Sequence, residues 1–294
     1  MNRTLAQEGG LQPVHTRHTG AWVAALFVAA PPLAWTGLIL LLASVPTLLM
    51  VLLDPRLLHG ASVWIKPLKF QLSTGIFLWT LAWVLGWLPA VQRNGWLARS
   101  FMGIAIGSAV FEVAYITWQA AWGRASHFNV ATPFDATMYS LMGVGAVLLT
   151  GTSLVLGVMV LRSRRFALTE DLRQAIGWGL VLTFILGTGF GAYLSAQPGH
   201  WVAALPSDAH GMLLTGWSRS GGDLRVAHFF GIHAVHILVP WVWLVGRARQ
   251  WLVLGPAPGG AAVSRGFVFA SAGAYSLFAL WTFAQALQGR PFLA

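Results

Sequence analysis

The chain has 294 residues, of which 56% are hydrophobic and only 9% charged, whereas about 25% of the residues in a soluble domain carry charge. With a mean hydropathy of +0.67, this composition excludes an ordinary soluble domain and predicts an integral membrane protein. The net charge of +10 is spread over short loops, which favours topology signals over nucleic-acid binding, and the absence of cysteine excludes disulfides, thiolate metal ligands, Fe–S clusters and cysteine nucleophiles.

Residues 1–32 form a region of their own. Residues 1–20 are polar, and the apolar run that follows, AWVAALFVAA at 21–30, is shorter than the roughly 20 residues that cross a bilayer. It resembles a signal-peptide core, but Pro31 and Pro32 follow at once and oppose cleavage. We therefore predict an interfacial or kinked lead-in to the first span.

Residues 33–294 predict a single all-α domain, an integral membrane bundle of seven transmembrane helices. Each apolar run is long enough to cross a bilayer. Asp223 and Ser264 are predicted N-caps of the last two helices, and TPFD at 132–135 reads as a capping box with proline in the first turn. The predicted spans are 33–53, 67–89, 97–122, 133–161, 174–196, 224–246 and 265–287.

Basic residues set the predicted orientation. Eleven of the 18 Lys and Arg residues lie in the N-terminal tail and the loops on its side, and seven lie on the other side. The positive-inside rule then places the N-terminus in the cytoplasm and the C-terminus outside. Seven of the nine histidines fall in the outer loops or the outer half of span six, so we expect the function there.

The third span carries one acid, Glu112. Ser108, Glu112, Tyr115 and Gln119 follow one another at i, i+4, i+7 and i+11, so they share one helix face. A carboxylate at the bilayer centre costs about 2.5–3.5 kcal/mol and is expected to face the bundle interior. Glu112 is therefore a candidate metal ligand, proton carrier or general base, or else a neutral acid that fixes helix packing.

The sixth span carries three histidines. Arg225, His228, His233 and His236 fall within an arc of about 140°, and the opposite arc looks suited to lipid. His233 and His236, at i and i+3, can converge on a metal or haem, or can bond across helices instead. Counting from the outer helix ends predicts Glu112 and His236 at similar depths, about 15 and 18 Å.

Other polar residues complete the predicted site. Lys66 and Lys69 begin the second span and either reach the interface or form an anion clamp with Arg124 and Arg225. The assignments are Glu112, His127, Lys69 and Arg225 as catalytic residues, His228, Gln119 and Gln285 as cofactor-binding residues, and Glu112, His233 and His236 as metal ligands. The polar face around Gln285 is also compatible with plain helix packing.

These residues support three hypotheses for a protein of a bacterial inner membrane. The first is a metal- or haem-dependent and possibly redox-active protein that uses Fe, Zn or Cu and acts on a lipid, a quinone or a small extracytoplasmic molecule. The second is a proton-coupled transporter in which Glu112 and the histidines pass protons. The third is a non-catalytic assembly or structural protein whose polar seams only pack helices.

Two motifs support a resemblance. The patterns W-x-K-P-x-K-F, beginning at Trp64, and G-D-L-R-x-x-H-F-x-G-x-H-A, beginning at Gly222, resemble segments of bacterial multi-pass membrane proteins of uncharacterised activity. The resemblance extends over most of the chain and implies a multi-pass membrane fold. It implies no activity, cofactor or site residue.

The charge count generates a first prediction. A reporter enzyme that works only outside the cytoplasm, fused after Ala294, should be active, because eleven basic residues against seven place the C-terminus outside. The same enzyme fused before the first span should be silent. Activity of a cytoplasm-only reporter at the C-terminus would reverse the orientation.

Overall fold

The computed structural model describes residues 19–252 and 263–293, and most of this part of the chain is helical. Most of the predicted polar tail, with Arg3 and Arg17, and residues 253–262 of the last loop lie outside the described residues. The helices are α1 (Thr19–Ala29), α2 (Pro31–Leu53), α3 (Ile65–Gly86), α4 (Ala90–Arg93), α5 (Trp96–Ala121), α6 (Pro133–Arg162), α7 (Glu170–Ser195), α8 (Leu224–Ile232), α9 (Ala234–Leu252) and α10 (Arg265–Leu287).

Six of these helices are long and apolar enough to cross a membrane, and α8 with α9 makes a seventh span if the bent pair is one crossing. The six, α2, α3, α5, α6, α7 and α10, begin and end within four residues of the predicted bounds. Large apolar side chains such as Leu53 and Leu277, 74% and 69% exposed, cover their outer faces. These features indicate a multi-pass membrane protein with an all-α bundle.

The predicted caps are confirmed where the structure describes them. The hydroxyl of Thr132 accepts a hydrogen bond from the backbone N–H of Asp135 at the start of α6, with Pro133 in the first turn. The side chain of Asp223 accepts from the N–H of Arg225 to begin α8, and that of Ser264 accepts from Phe267 to begin α10. Short polar signals therefore fix where these helices start.

The sixth span is not the continuous helix 224–246 that the sequence predicts. It bends by 58° between α8 and α9 at His233. The hydroxyl of Thr183 on α7 accepts a hydrogen bond of 3.2 Å from the backbone N–H of Val235. A side chain inserted into the helical hydrogen-bond ladder is a recognised cause of a kink, and here it comes from a neighbouring helix.

Close packing on α7 accompanies the bend. A Cβ atom on Gly179 would lie 2.8 Å from Cα of Val235, and one on Gly187 would lie 2.8 Å from Cγ2 of Ile232. Ala234, Val235 and Leu238 are almost fully buried. The face of span six that the sequence assigns to lipid is therefore wrongly assigned, because glycines on α7 let it pack inside the bundle.

Three loops close one end of the bundle and are called the cap here: residues 54–64, 122–132 and 196–223. The cap contains two short antiparallel hairpins, β1 (Leu57–Leu58) with β2 (Ala61–Ser62) and β3 (Trp201–Val202) with β4 (Gly222–Asp223). The backbone N–H of Asp208 donates to the carbonyl of His59, which joins the first and third loops. The starts of α3 and α8 lie directly beneath the cap.

The bend generates a second prediction. Thr183→Val removes the acceptor for the N–H of Val235 and leaves a buried donor unpaired, so we expect a loss of about 1–3 kcal/mol in unfolding free energy. The matched control is Thr117→Val, because the Thr117 hydroxyl bonds only to the Val113 carbonyl of its own helix. Equal stability of the two variants in detergent unfolding would show that the Thr183 bond does not hold the bend.

Candidate functional site

The cap is held by Arg225. Its guanidinium lies 2.8 Å from Oδ1 of Asp208 and 2.7 Å from Oδ2 of Asp223, and it also donates to the carbonyl of Gly216. The ammonium of Lys69 donates to the neighbouring carbonyl of Thr215 at 2.8 Å. Two predicted catalytic residues therefore meet at one loop, where both tie the cap to the ends of α3 and α8.

Asp208 and His200 complete this ion cluster, and the sequence analysis did not single them out. Nε2 of His200 lies 3.3 Å from Oδ1 of Asp208, and the His200 ring lies 3.7 Å from the ring of Trp201. Burial alone would raise the pKa of Asp208, but the His200 hydrogen bond and the Arg225 charge outweigh it and lower the pKa to about 2. For His200 the effect of burial is the opposite, because burial disfavours the charged imidazolium and lowers its pKa.

A second cluster of ionisable groups lies beneath the cap. The ammonium of Lys66 and the carboxyl of Glu112 are close enough to interact electrostatically, and His127 interacts with both Lys66 and His228. Lys66, His127 and His228 are partly exposed, and Glu112 is buried. The region that these four residues surround is called the central cavity here.

Glu112 forms one wall of this cavity. The residue is 3% exposed, and its Oε1 has no hydrogen-bond partner among the described residues. A Cβ atom on Gly145 of α6 would lie 2.7 Å from that oxygen, so the glycine makes room for the carboxyl. A buried acceptor without a partner is costly, and such groups are characteristic of binding or catalytic positions.

The rest of the α5 stripe packs inside the bundle. Ser108, Tyr115 and Gln119 are buried on the same face as Glu112, as the spacing predicts. The amide of Gln119 donates to the Tyr115 hydroxyl at 2.6 Å and to Oδ1 of Asp135 at 3.3 Å. Gln119 thus joins α5 to the start of α6, and its predicted cofactor-binding role stays a prediction.

His127 enters the cavity from the second cap loop. Its Nδ1 lies 3.2 Å from the Ser126 hydroxyl. The centroid of its ring lies 5.9 Å from that of Phe70 and 6.0 Å from that of Tyr139. Burial, with smaller effects from Lys66 and His228, holds the pKa of His127 well below its usual range. The imidazole is therefore neutral near pH 7 and can donate one hydrogen bond and accept another.

The three histidines of the bent span have distinct partners. Nδ1 of His228 lies 3.1 Å from the carbonyl of Gly187, Nε2 of His236 lies 2.9 Å from the Thr80 hydroxyl, and Nδ1 of His233 lies 3.4 Å from Nδ1 of His236. His228 points to α7 and His236 to α3. Thr80 was not identified in the sequence, because no local pattern links it to span six.

Glu112 does not join the histidine pair. Oε1 of Glu112 lies beside Gly145 of α6, whereas His236 bonds to Thr80 of α3. The predicted joint ligation of one metal by Glu112, His233 and His236 stays a prediction. Across residues 19–252 and 263–293, no three His, Asp or Glu side chains are arranged to hold a metal ion.

Two remaining residues lie at the edges. The amide of Gln285 donates to the carbonyl of Pro291 at 2.7 Å and so holds the C-terminal segment against α10. The amide of Asn129 bonds within its own loop, to the carbonyl of Ala125. Neither contact reaches the central cavity.

Two grooves lie away from these clusters, on the apolar outer faces of the bundle. One runs between α9 and α10 past Trp241 and Tyr275, and the other between α7 and α10 past Phe190 and Phe283. Both are lined almost wholly by apolar side chains and contain no predicted site residue. We place the candidate site in the central cavity because the ionisable groups gather there.

Comparison of the chain with protein-family models, curated proteins and solved structures finds no match. The function must therefore be argued from the residues themselves.

The ion cluster generates a third prediction, that acid loosens the cap. The pKa of His200 is lower in the folded protein than in the unfolded chain. Its contribution to the stability of the cap is therefore complete above about pH 6.5 and declines as the pH falls below that value. The contribution of Asp208 is complete above about pH 4 and is lost as the pH falls through about 2. Hydrogen exchange of residues 203–221, corrected for intrinsic rates, should therefore rise between pH 7 and pH 5.

His200→Gln should remove this first change, because glutamine does not titrate. The second change, the loss of the Asp208 contribution below about pH 4, should remain in this variant. Exchange that is independent of pH from 7 to 2 in the unsubstituted protein would show that the cluster does not hold the cap.

Proposed function

We propose that this protein is a proton-coupled membrane transporter for a small anion and that the central cavity is its binding site. The observation that carries the proposal is that Lys66 and Glu112 lie near enough to influence each other's charge beneath the cap, while Oε1 of Glu112 is buried without a hydrogen-bond partner in the described residues. No salt bridge joins them in the described part of the chain. An ammonium and a carboxyl held near each other but apart leave space for a ligand between them.

Charge balance supports the coupling of anion entry to proton entry. An isolated charge is costly in a low-dielectric interior, so without a ligand the Lys66 ammonium is best balanced by an ionised Glu112. When a monoanion binds the ammonium, two negative groups compete for one positive group, and Glu112 then favours its protonated form. One anion thus enters with one proton, and the net charge of the cavity stays the same.

The neutral imidazoles suit the same task. His127 and His228 interact at the cavity, and each presents a ring that can donate to a bound anion without adding a permanent charge. Arg225 is already occupied by two carboxylates and Lys69 by a carbonyl, so Lys66 is the cation best placed for the ligand. This division supports a role for Arg225 and Lys69 in holding the cap rather than in binding the anion.

The architecture supports alternating access. The 58° bend between α8 and α9 divides the sixth span, and broken membrane helices are a feature of many transporters. The cap covers the cavity at one end, and the excess of basic residues at the other end favours an outward-facing cap in a bacterial inner membrane. Opening of the cap is then the step that admits the anion.

The other hypotheses stay predictions. Among the described residues no three His, Asp or Glu side chains converge to favour a metal-dependent activity on a lipid or quinone, and a purely structural role does not explain the unpartnered oxygen of Glu112. The apolar grooves past Trp241 and Phe190 are compatible with lipid chains and suggest no reaction.

The proposal generates a fourth prediction, tested by anion-driven proton uptake into proteoliposomes that contain a pH-sensitive dye. The panel consists of nitrate, phosphate, sulfate and hydrophilic carboxylates, with protein-free liposomes subtracted. At least one anion should acidify the lumen. Glu112→Gln and Lys66→Met should each lower the rate at least about tenfold, because one removes the proton site and the other the anion site.

The matched control is Glu170→Gln. Glu170 pairs with Arg173 and Arg265 at the opposite end of the bundle, so this variant should keep the uptake even if it is less stable. Native uptake by Glu112→Gln would remove Glu112 from the site. Failure of every anion in the panel to drive protons through the unsubstituted protein would overturn the proposed function.

A further inference from the structure

The histidine pair at the bend forms a second polar cluster that the proposed anion site does not use. His233 is the C-cap residue of α8, and His236 lies in the first turn of α9. Their ring centroids are 5.3 Å apart at an interplanar angle of 58°, and the two Nδ1 atoms are 3.4 Å apart. Both residues keep part of their surface accessible.

Thr80 fixes the tautomer of His236. The Thr80 hydroxyl has one proton, which it donates to the carbonyl of Ile76 at 2.9 Å. Its oxygen therefore accepts from Nε2–H of His236, also at 2.9 Å. In a neutral imidazole the other nitrogen then carries the free lone pair, so Nδ1 of His236 presents that lone pair towards His233.

The spacing of the two nitrogens matches a pair of ligands on one ion. Strong N–H donor bonds span about 2.7–3.2 Å, so 3.4 Å is long for a hydrogen bond between two rings. Two imidazole nitrogens that each lie about 2.0–2.1 Å from one tetrahedral ion are about 3.3–3.4 Å apart. A metal-bound histidine also donates its second N–H to an oxygen, as His236 does to Thr80.

We infer that His233 and His236 form a two-histidine site for one Zn²⁺-like divalent transition-metal ion, with Thr80 orienting His236. Imidazole suits zinc, copper, iron and nickel. Two protein ligands leave further coordination positions for water, hydroxide or a small anion. An anionic co-ligand would also balance part of the 2+ charge of the ion, which two neutral imidazoles leave uncompensated. Because positions stay open, the ion should exchange readily. The inference does not depend on anion transport.

The test uses Zn²⁺ alone as the probe, on purified full-length protein without a histidine tag. Calorimetry and metal analysis after desalting should show one zinc per chain, and zinc should raise the thermal unfolding temperature. His233→Ala and His236→Ala should each abolish both effects. Thr80→Val should keep the stoichiometry but lower the affinity about 10–100-fold, because it removes the group that orients His236.

His210→Ala is the control, because His210 is exposed in the cap and should not affect the binding. If an alanine variant fails to fold, His233→Asn or His236→Asn replaces it, since the amide retains a polar group near the position of Nδ1. Absence of zinc binding by the unsubstituted protein would overturn the inference. Unchanged zinc binding in both histidine variants would do the same. Neither result bears on proton uptake, which is measured without added metal.

Discussion

The bond between the Val235 N–H and the Thr183 hydroxyl shapes the centre of this bundle. Inside a bilayer no water is available to satisfy a free backbone donor, so a helix can break only where a neighbouring group takes the donor over. Thr183 does so from α7, and the glycines beside it let the broken segment approach. Because of that break, His233 lies at a hinge and directs its ring towards His236 rather than along a continuous helix face.

The ionisable groups near the cap fall into a paired set and an unpaired set. Arg225 bonds to Asp208, Asp223 and a loop carbonyl, so these residues hold the loops of the cap together. Lys66 and Glu112 form no salt bridge in the described residues, and Oε1 of Glu112 is buried without a hydrogen-bond partner there. The ion pairs of this region therefore connect loops, whereas the lysine and the acid beneath them stay apart.

Local patterns predicted the helices well, and tertiary contacts explain where those predictions fail. Apolar runs set the span lengths, and the capping residues Thr132, Asp223 and Ser264 mark helix starts because the chemistry of a cap is local. The bend was missed because it depends on Thr183, which is 52 positions away from Val235.

The candidate site shows the same limit. The polar stripe on α5 identified Glu112, but its neighbour Lys66 begins another helix, and Thr80 carries no sign in the sequence of its bond to His236. The predicted metal site joined Glu112 to the histidines because their depths, counted along separate helices, were similar, and it stays a prediction. Counting residues gives depth along each helix but not which faces meet.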